Sequence, residues 1–270
     1  MHENGTQHER EARFHDNWAE HADIAAVAVR AAFEAPTALE NRYILTQLGP
    51  LRGRRILDVG CGLGEASVYF ALQGAAVTAT DISPGMVDFT LRLAKHHGVR
   101  VEGVVSAAES LRVPEAHFDA LYAANLLHHV ADRDAFLAAA ARALKPGGRF
   151  FSWDPLAYNP VINVYRRMAT AVRSADERPL TYGDVARARG HFEQVTHREF
   201  WIAALSLFLK YYLIDRVHPA QDRYWKRILR HSPASLWWWY PCRGADALLT
   251  RLPLLRRLAW NIVICGRKGL

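Results

Sequence analysis

Residues 56–67 read ILDVGCGLGEAS: an apolar run, then Asp58, then Gly60, Gly62 and Gly64 at the head of a helical pattern. A glycine-rich strand-to-helix turn lets a ligand approach the backbone closely. Dinucleotide sites and plain tight turns use the same device, so the charge around the turn has to choose between them. A dinucleotide fingerprint places its third glycine at position 65, which here is Glu65. A pyrophosphate would then face both Asp58 and Glu65, an unfavourable pairing at a turn that should attract anions. Acidic side chains at this turn argue for a cationic ligand.

S-Adenosylmethionine (SAM), with its ammonium and sulfonium groups, is such a ligand. Asp81, in VTATDIS, stands seventeen residues beyond Gly64 at the end of the next apolar run. A carboxylate there can accept both hydroxyls of a ribose. Its alternative task, capping the following helix, is better served by Ser83, which precedes Pro84. Ile82 offers an apolar face for adenine.

Outward from the turn, short apolar runs alternate with helical patterns, which predicts βα units and a mostly parallel sheet. Strands are expected at 54–60, 75–81, 99–106, 118–124 and 148–154, with helices in EASVYFALQG, MVDFTLRLAKHHG and AFLAAAARALKPGG between them. TYGDVARARGHF reads as a further helix, EQVTHREFW as a sixth strand and LAWNIVICGRK as a seventh. The division expected is a helical lid over 1–50, a SAM-binding α/β unit over 51–201 with a loop at 155–180, a helical insertion over 202–255, and the last strand in 256–270. The insertion is too long for an ordinary connection.

Four motifs in order, ILDVGCGLG, TDISPGMV, FDALYAANLLHHV and LKPGGRFF, resemble the class I SAM-dependent methyltransferases, and most of all the small-molecule branch with the ubiquinone and menaquinone enzymes. The resemblance covers about residues 54–155. It implies a Rossmann-like, seven-stranded α/β fold with helices on both faces and a SAM cofactor converted to S-adenosylhomocysteine. It also implies that Asp58, Gly60, Cys61 and Gly62 hold the methionine part, and that Asp81 and Ile82 hold ribose and adenine. Ala108 would border the adenine edge and Asn125 the sulfonium side. Many relatives carry an Asp before the Ala-Glu pair, where this chain has Ala107, Ala108 and Glu109.

Methyl transfer needs the acceptor aligned with the sulfonium and, for an O or C acceptor, a proton removed. His128 is the candidate base, unless it supports the loop. Asp154 is placed to orient it, to bind the acceptor, or to cap the turn at Pro155. His129, Trp18, Tyr158, Tyr165 and Arg166 are the candidate acceptor contacts. Arg166 and Arg167 suit a carboxylate or phosphate, or are surface charges. Phe14, Trp18 and His21 recur at helical spacing in FHDNWAEH, which resembles the lid helix of related enzymes or is an ordinary amphipathic helix.

Net charge is +7, but residues 201–270 hold twelve Lys/Arg against three Asp/Glu, so the basic character belongs to the carboxyl-terminal part. That charge suits anionic lipid, a phosphorylated acceptor or solvent. WIAALSLFLKYYLI, at 201–214, contains Lys210 and is shorter than the ~20 apolar residues a spanning helix needs. Contact at a membrane surface stays open, through Trp237 to Tyr240 and the neighbouring arginines. The three cysteines are too scattered for a disulfide scaffold or a CxxC metal site, which points to the cytoplasm and to no metal. The motifs of nucleic-acid amine and cytosine methylation are missing, so no nucleic-acid partner is expected. The expected function is methylation of a small, hydrophobic or amphipathic acceptor, including an anionic lipid-like one. The rival is a SAM-binding scaffold without turnover, acting through its basic, apolar tail.

Overall fold

A computed structural model describes residues 6–169, 176–220, 222, 224–229 and 233–270, so the middle of the 155–180 loop and short parts of the insertion lie outside the described residues. The strands are β1 (Arg55–Val59), β2 (Ala76–Asp81), β3 (Glu102–Val105), β4 (Phe118–Ala124), β5 (Leu144–Pro155), β6 (Glu193–Phe200) and β7 (Asn261–Arg267). They form one sheet in the order β3-β2-β1-β4-β5-β7-β6. The first five are parallel, and β7 runs antiparallel between β5 and β6. All seven expected strands are present, as is the Rossmann-like class I arrangement.

Helices α1 (Gln7–Glu20), α2 (Ala31–Glu34), α3 (Leu39–Leu48), α4 (Glu65–Leu72), α5 (Pro84–His96), α6 (Arg133–Ala143), α7 (Pro160–Met168) and α8 (Tyr182–Arg189) precede or cover the sheet. β1 and β4 are buried on both faces, which explains why ILDV and DALYAA are mainly apolar rather than alternating. Ser83 caps α5 by accepting from the Met86 amide at 3.0 Å, with Pro84 in the first turn. Helix α6 stops at Ala143, ahead of Pro146, because a proline disfavours helical backbone before it.

The strand order reverses between β1 and β4, where a doubly wound sheet opens a crevice beyond its carboxyl ends. α1 closes one side of that crevice. Its Asp16 Oδ1 accepts from Ser83 Oγ at 2.5 Å and from the Gly85 amide at 2.9 Å, tying α1 to the start of α5.

Because β6 runs parallel to β5 and β7 returns, the chain between them rises at the carboxyl edge. This insertion contains α9 (Ser206–Leu213), α10 (Tyr224–Arg227) and α11 (Pro233–Leu249). It packs into the molecule: the Phe208 ring lies 5.3 Å from Tyr165, 5.2 Å from Tyr224 and 4.8 Å from Trp260. Asp246 of α11 accepts from the Ala203 amide at 2.5 Å and the Ile202 amide at 3.2 Å. Trp239 is fully buried, while Trp237 and Trp238 are exposed. Among the described residues no helix is long and apolar enough to cross a membrane.

Candidate active site

A cavity of about 290 Å³ lies beyond the carboxyl ends of β1, β2 and β4. Asp58, Gly60, Cys61, Gly62, Asp81, Ile82, Ala108 and Asn125, all chosen from the sequence as cofactor contacts, line it. The turn depends on its glycines. Gly60 has φ +71°, and a Cβ there would meet Leu126 Cδ1 at 2.8 Å. Gly64 has φ +84°, and a Cβ there would meet Thr90 Oγ1 at 2.8 Å. Asn125 also has positive φ, +50°, a conformation asparagine tolerates better than most residues and one that recurs at ligand sites.

The two aspartates are held differently. Asp81 Oδ2 accepts from the Gly62 amide at 3.1 Å and Oδ1 from the Ser83 amide at 2.9 Å, so the carboxylate is fixed while facing the cavity. A carboxylate oxygen has capacity for more than one hydrogen bond, which leaves both oxygens able to accept from a ligand. Asp58 is 2% exposed and its Oδ2 accepts from Ser67 Oγ at 2.6 Å. Burial pushes its pKa up to about 7, with Asp81 and Glu65 adding to the rise against the Ser67 hydrogen bond. Such a group favours a cation and rejects an anion.

At the other end of the cavity His128, 5% exposed, places its Nδ1 at 2.8 Å from Asp154 Oδ1, which also accepts from the His128 amide at 3.2 Å. Asp154 is fully buried, and burial raises its pKa well above the usual carboxylate range, against the hydrogen bond from the His128 amide. The carboxyl group fixes the ring and leaves Nε2 as the nitrogen not spoken for by Asp154. Asp154 itself does not line the cavity, so its geometry is that of a group acting through His128.

Of the expected acceptor contacts, Trp18, His129 and Tyr165 line the cavity. Tyr158 does not. Its ring stacks on Tyr182 with centroids 5.7 Å apart, and its hydroxyl accepts from the Tyr182 amide at 3.1 Å. Arg166 is also absent from the lining and pairs at 3.4 Å with Glu177, which does line it. Burial lowers Arg166 to about 10. No arginine lines the cavity among the described residues, whereas Glu11, Glu40, Asp58, Glu65, Asp81, Glu109 and Glu177 do. Among the described residues the lining thus offers these acidic groups and Lys226, and Arg166 stands behind Glu177 rather than on it.

Several lining residues carried no motif. Glu11 and His15 sit one turn apart on α1, a spacing that was legible but shared by many amphipathic helices. Tyr122 and Trp153 both donate to Asn41 Oδ1, at 2.6 and 2.9 Å, and Asn261 Nδ2 donates to Glu40 Oε1 at 2.6 Å. These five form a polar floor assembled from four separate elements. Lys226 of the insertion reaches Glu65 at 2.8 Å and lies 4.9 Å over the Trp18 ring, so the insertion also touches the turn that begins the cofactor side.

Residues 57–152 match the family model described as a methyltransferase domain. A ubiquinone biosynthesis O-methyltransferase of Xylella fastidiosa is 43% identical over 103 residues, 38% of this chain and 42% of the relative. That of Xanthomonas axonopodis pv. citri is 35% identical over 157 residues, 55% of this chain and 64% of the relative. The chain thus spans less than two thirds of the length of these relatives. Among solved structures, phosphoethanolamine N-methyltransferase 2 of Haemonchus contortus, in complex with S-adenosyl-L-methionine, superposes with a TM-score of 0.61 at 18% identity, over 99% of this chain and 61% of that one. The cyclase SpnF superposes with a TM-score of 0.53 at 23% identity, over 81% of this chain and 76% of that one, so the likeness speaks for the fold alone. Residues 57–152 thus match a methyltransferase domain, and they lie on a seven-stranded sheet of the class I, Rossmann-like kind.

Proposed function

We propose that the protein is a SAM-dependent methyltransferase acting on a small, hydrophobic or amphipathic acceptor. The observation that carries this reading is one cavity lined by two fixed carboxylates, Asp58 and Asp81, and by His128, whose Nδ1 is held from behind by Asp154. Asp81 accepts from the ribose hydroxyls, Asp58 faces the ammonium group, Ile82 and Ala108 border adenine, and Gly60, Cys61 and Gly62 give the methionine part access to backbone. Asn125 borders the sulfonium.

His128, its Nδ1 engaged by Asp154, removes a proton through Nε2 from an acceptor hydroxyl or carbon as the methyl group moves. Trp18, Phe33, Tyr165 and Trp260 give the cavity an apolar wall, and Tyr122, Asn41 and Glu40 give it a few polar groups for orientation. The acidic lining favours an acceptor that is neutral or carries no negative charge near the transferred methyl. The exposed Trp237, Trp238, Leu213 and Ile214, with the basic balance of the carboxyl-terminal part, suit a membrane surface from which a lipid-like acceptor is drawn.

Calorimetric titration tests the cofactor assignment. SAM and S-adenosylhomocysteine should bind at one site and compete, and NADH should not displace them. Binding of NADH in place of SAM would return the turn to the dinucleotide reading.

A further inference from the structure

We infer that Glu11, His15 and His129 form a binding site for a single divalent transition-metal ion at the acceptor end of the cavity. Glu11 Oε2 lies 3.1 Å from His129 Nδ1 and 3.6 Å from His15 Nε2. One ligand atom from each of the three residues lies within 4.8 Å of the others. A tetrahedral ion with bonds of ~2.0–2.1 Å holds its ligand atoms about 3.3 Å apart, between the two distances found.

The three side chains are brought together by structure with other supports. Glu11 and His15 stand one turn apart on one face of α1, and Glu11 is 5% exposed. His129 follows β4, and its backbone carbonyl accepts from Gln7 Nε2 at 2.8 Å, which fixes the start of α1 to the histidine loop. The His15 ring is oriented for this, with Nε2 facing Glu11 and its centroid 5.7 Å from that of His129. A second group, His128, His129 and Glu177, shares His129 and keeps the neighbourhood rich in donors and negative in charge. Two imidazoles and one carboxylate suit zinc and its first-row neighbours, and such a set leaves coordination positions open.

All three residues line the cavity, so an open position faces the acceptor. Resting on the methyl-transfer reading, an acceptor oxygen bound there would lose its proton more readily, as metal-bound water does. Binding of the ion does not depend on that reading. The sequence expectation of no metal rested on the cysteines, and these ligands come from two distant segments.

Cobalt(II) is the probe, titrated into the protein without SAM and followed by its visible d–d absorption, with zinc(II) as competitor. One equivalent should bind with bands of a four- or five-coordinate ion, and zinc should erase them. Glu11→Gln and His15→Gln should each weaken binding by ~10- to 100-fold or more, since even loss of a supporting contact costs that much. The exposed pair His96→Gln/His97→Gln should leave it unchanged. Glu11→Gln keeps shape and size, and circular dichroism with SAM affinity verifies its fold. Absence of saturable binding to the wild-type protein, or equal binding by wild type and Glu11→Gln, overturns the site. Failure of methyl transfer with the cobalt spectrum intact would count against the methyltransferase reading alone.

Discussion

SAM affinity should fall as the solution is made more acidic, and Asp58 sets how far. Its carboxyl, buried with Asp81 and Glu65 nearby, titrates near 7 in the ligand-free protein, against an ordinary value of 3.8. The sign follows from linkage: the native state binds more protons than the unfolded one between those values, so the free protein loses stability as pH rises through this window. A bound ammonium reverses the preference and requires the carboxylate, so binding below pH 7 expels a proton. For a single group titrating at about 7, affinity should drop ~25-fold between pH 7.5 and pH 5.5, or ~1.9 kcal/mol. The upper limit avoids deprotonation of the ligand's own amino group, expected near ~8. Calorimetry in buffers of different ionisation enthalpy should count about 0.9 proton released per SAM at pH 6. Asp58→Asn should bind SAM more weakly at pH 7.5 and lose most of the pH slope. Constant affinity in the wild-type protein, or the same slope in Asp58→Asn, would refute the placement of the ammonium group beside Asp58.

Asp81→Asn should weaken SAM binding by one to two orders of magnitude with the fold kept, because the fixed acceptor for the ribose hydroxyls is lost, at ~1.5–3 kcal/mol; unchanged affinity by calorimetry would remove the ribose from this position. His128→Gln should lower turnover by ~10²–10⁴ with SAM affinity intact, and a fall below ~10-fold would demote it to support of the loop. Asp154→Asn should lower kcat and alter its pH profile while leaving the KM for SAM unchanged; a proportional loss of SAM binding would mean that the carboxyl only holds the fold. Trp237→Ala/Trp238→Ala should abolish sedimentation with anionic liposomes and keep SAM affinity within about threefold, less than ~1 kcal/mol, whereas the buried Trp239→Ala should cost ~3–5 kcal/mol of stability by urea unfolding. Equal sedimentation of wild type and the exposed double variant would take the membrane surface out of the account.

The residues proposed for the cofactor could be grouped from the sequence because their geometry is local. Gly60, Gly62 and Gly64 are required by positive φ within one turn, and Asp58 and Asp81 end neighbouring parallel strands, a relation that alternating βα segments dictate. The acceptor end is built from long-range contacts. Asn41, Tyr122, Trp153 and Asn261 come from α3, β4, β5 and β7, and nothing in their spacing along the chain marks them as neighbours. Tyr158 and Arg166 follow β5, and an arginine pair there suits an anion, yet the loop and α7 turn Tyr158 onto Tyr182 and Arg166 behind Glu177. The topological placement of the insertion at the carboxyl edge agrees with the strand order, but the contact of Lys226 with Glu65 has no sequence signal, since the partners are separated by 161 positions.

Methyl transfer itself is the most direct test. The protein should be incubated with methyl-labelled SAM and a small-molecule cell extract, and both S-adenosylhomocysteine and label in the organic phase should be measured. The two should accumulate together, most label should enter compounds extractable into an apolar solvent, and Asp81→Asn and His128→Gln should suppress both. A wild-type protein that binds SAM but forms no S-adenosylhomocysteine above the protein-free control with any extract fraction would contradict the methyltransferase reading, and would leave a cofactor-binding scaffold.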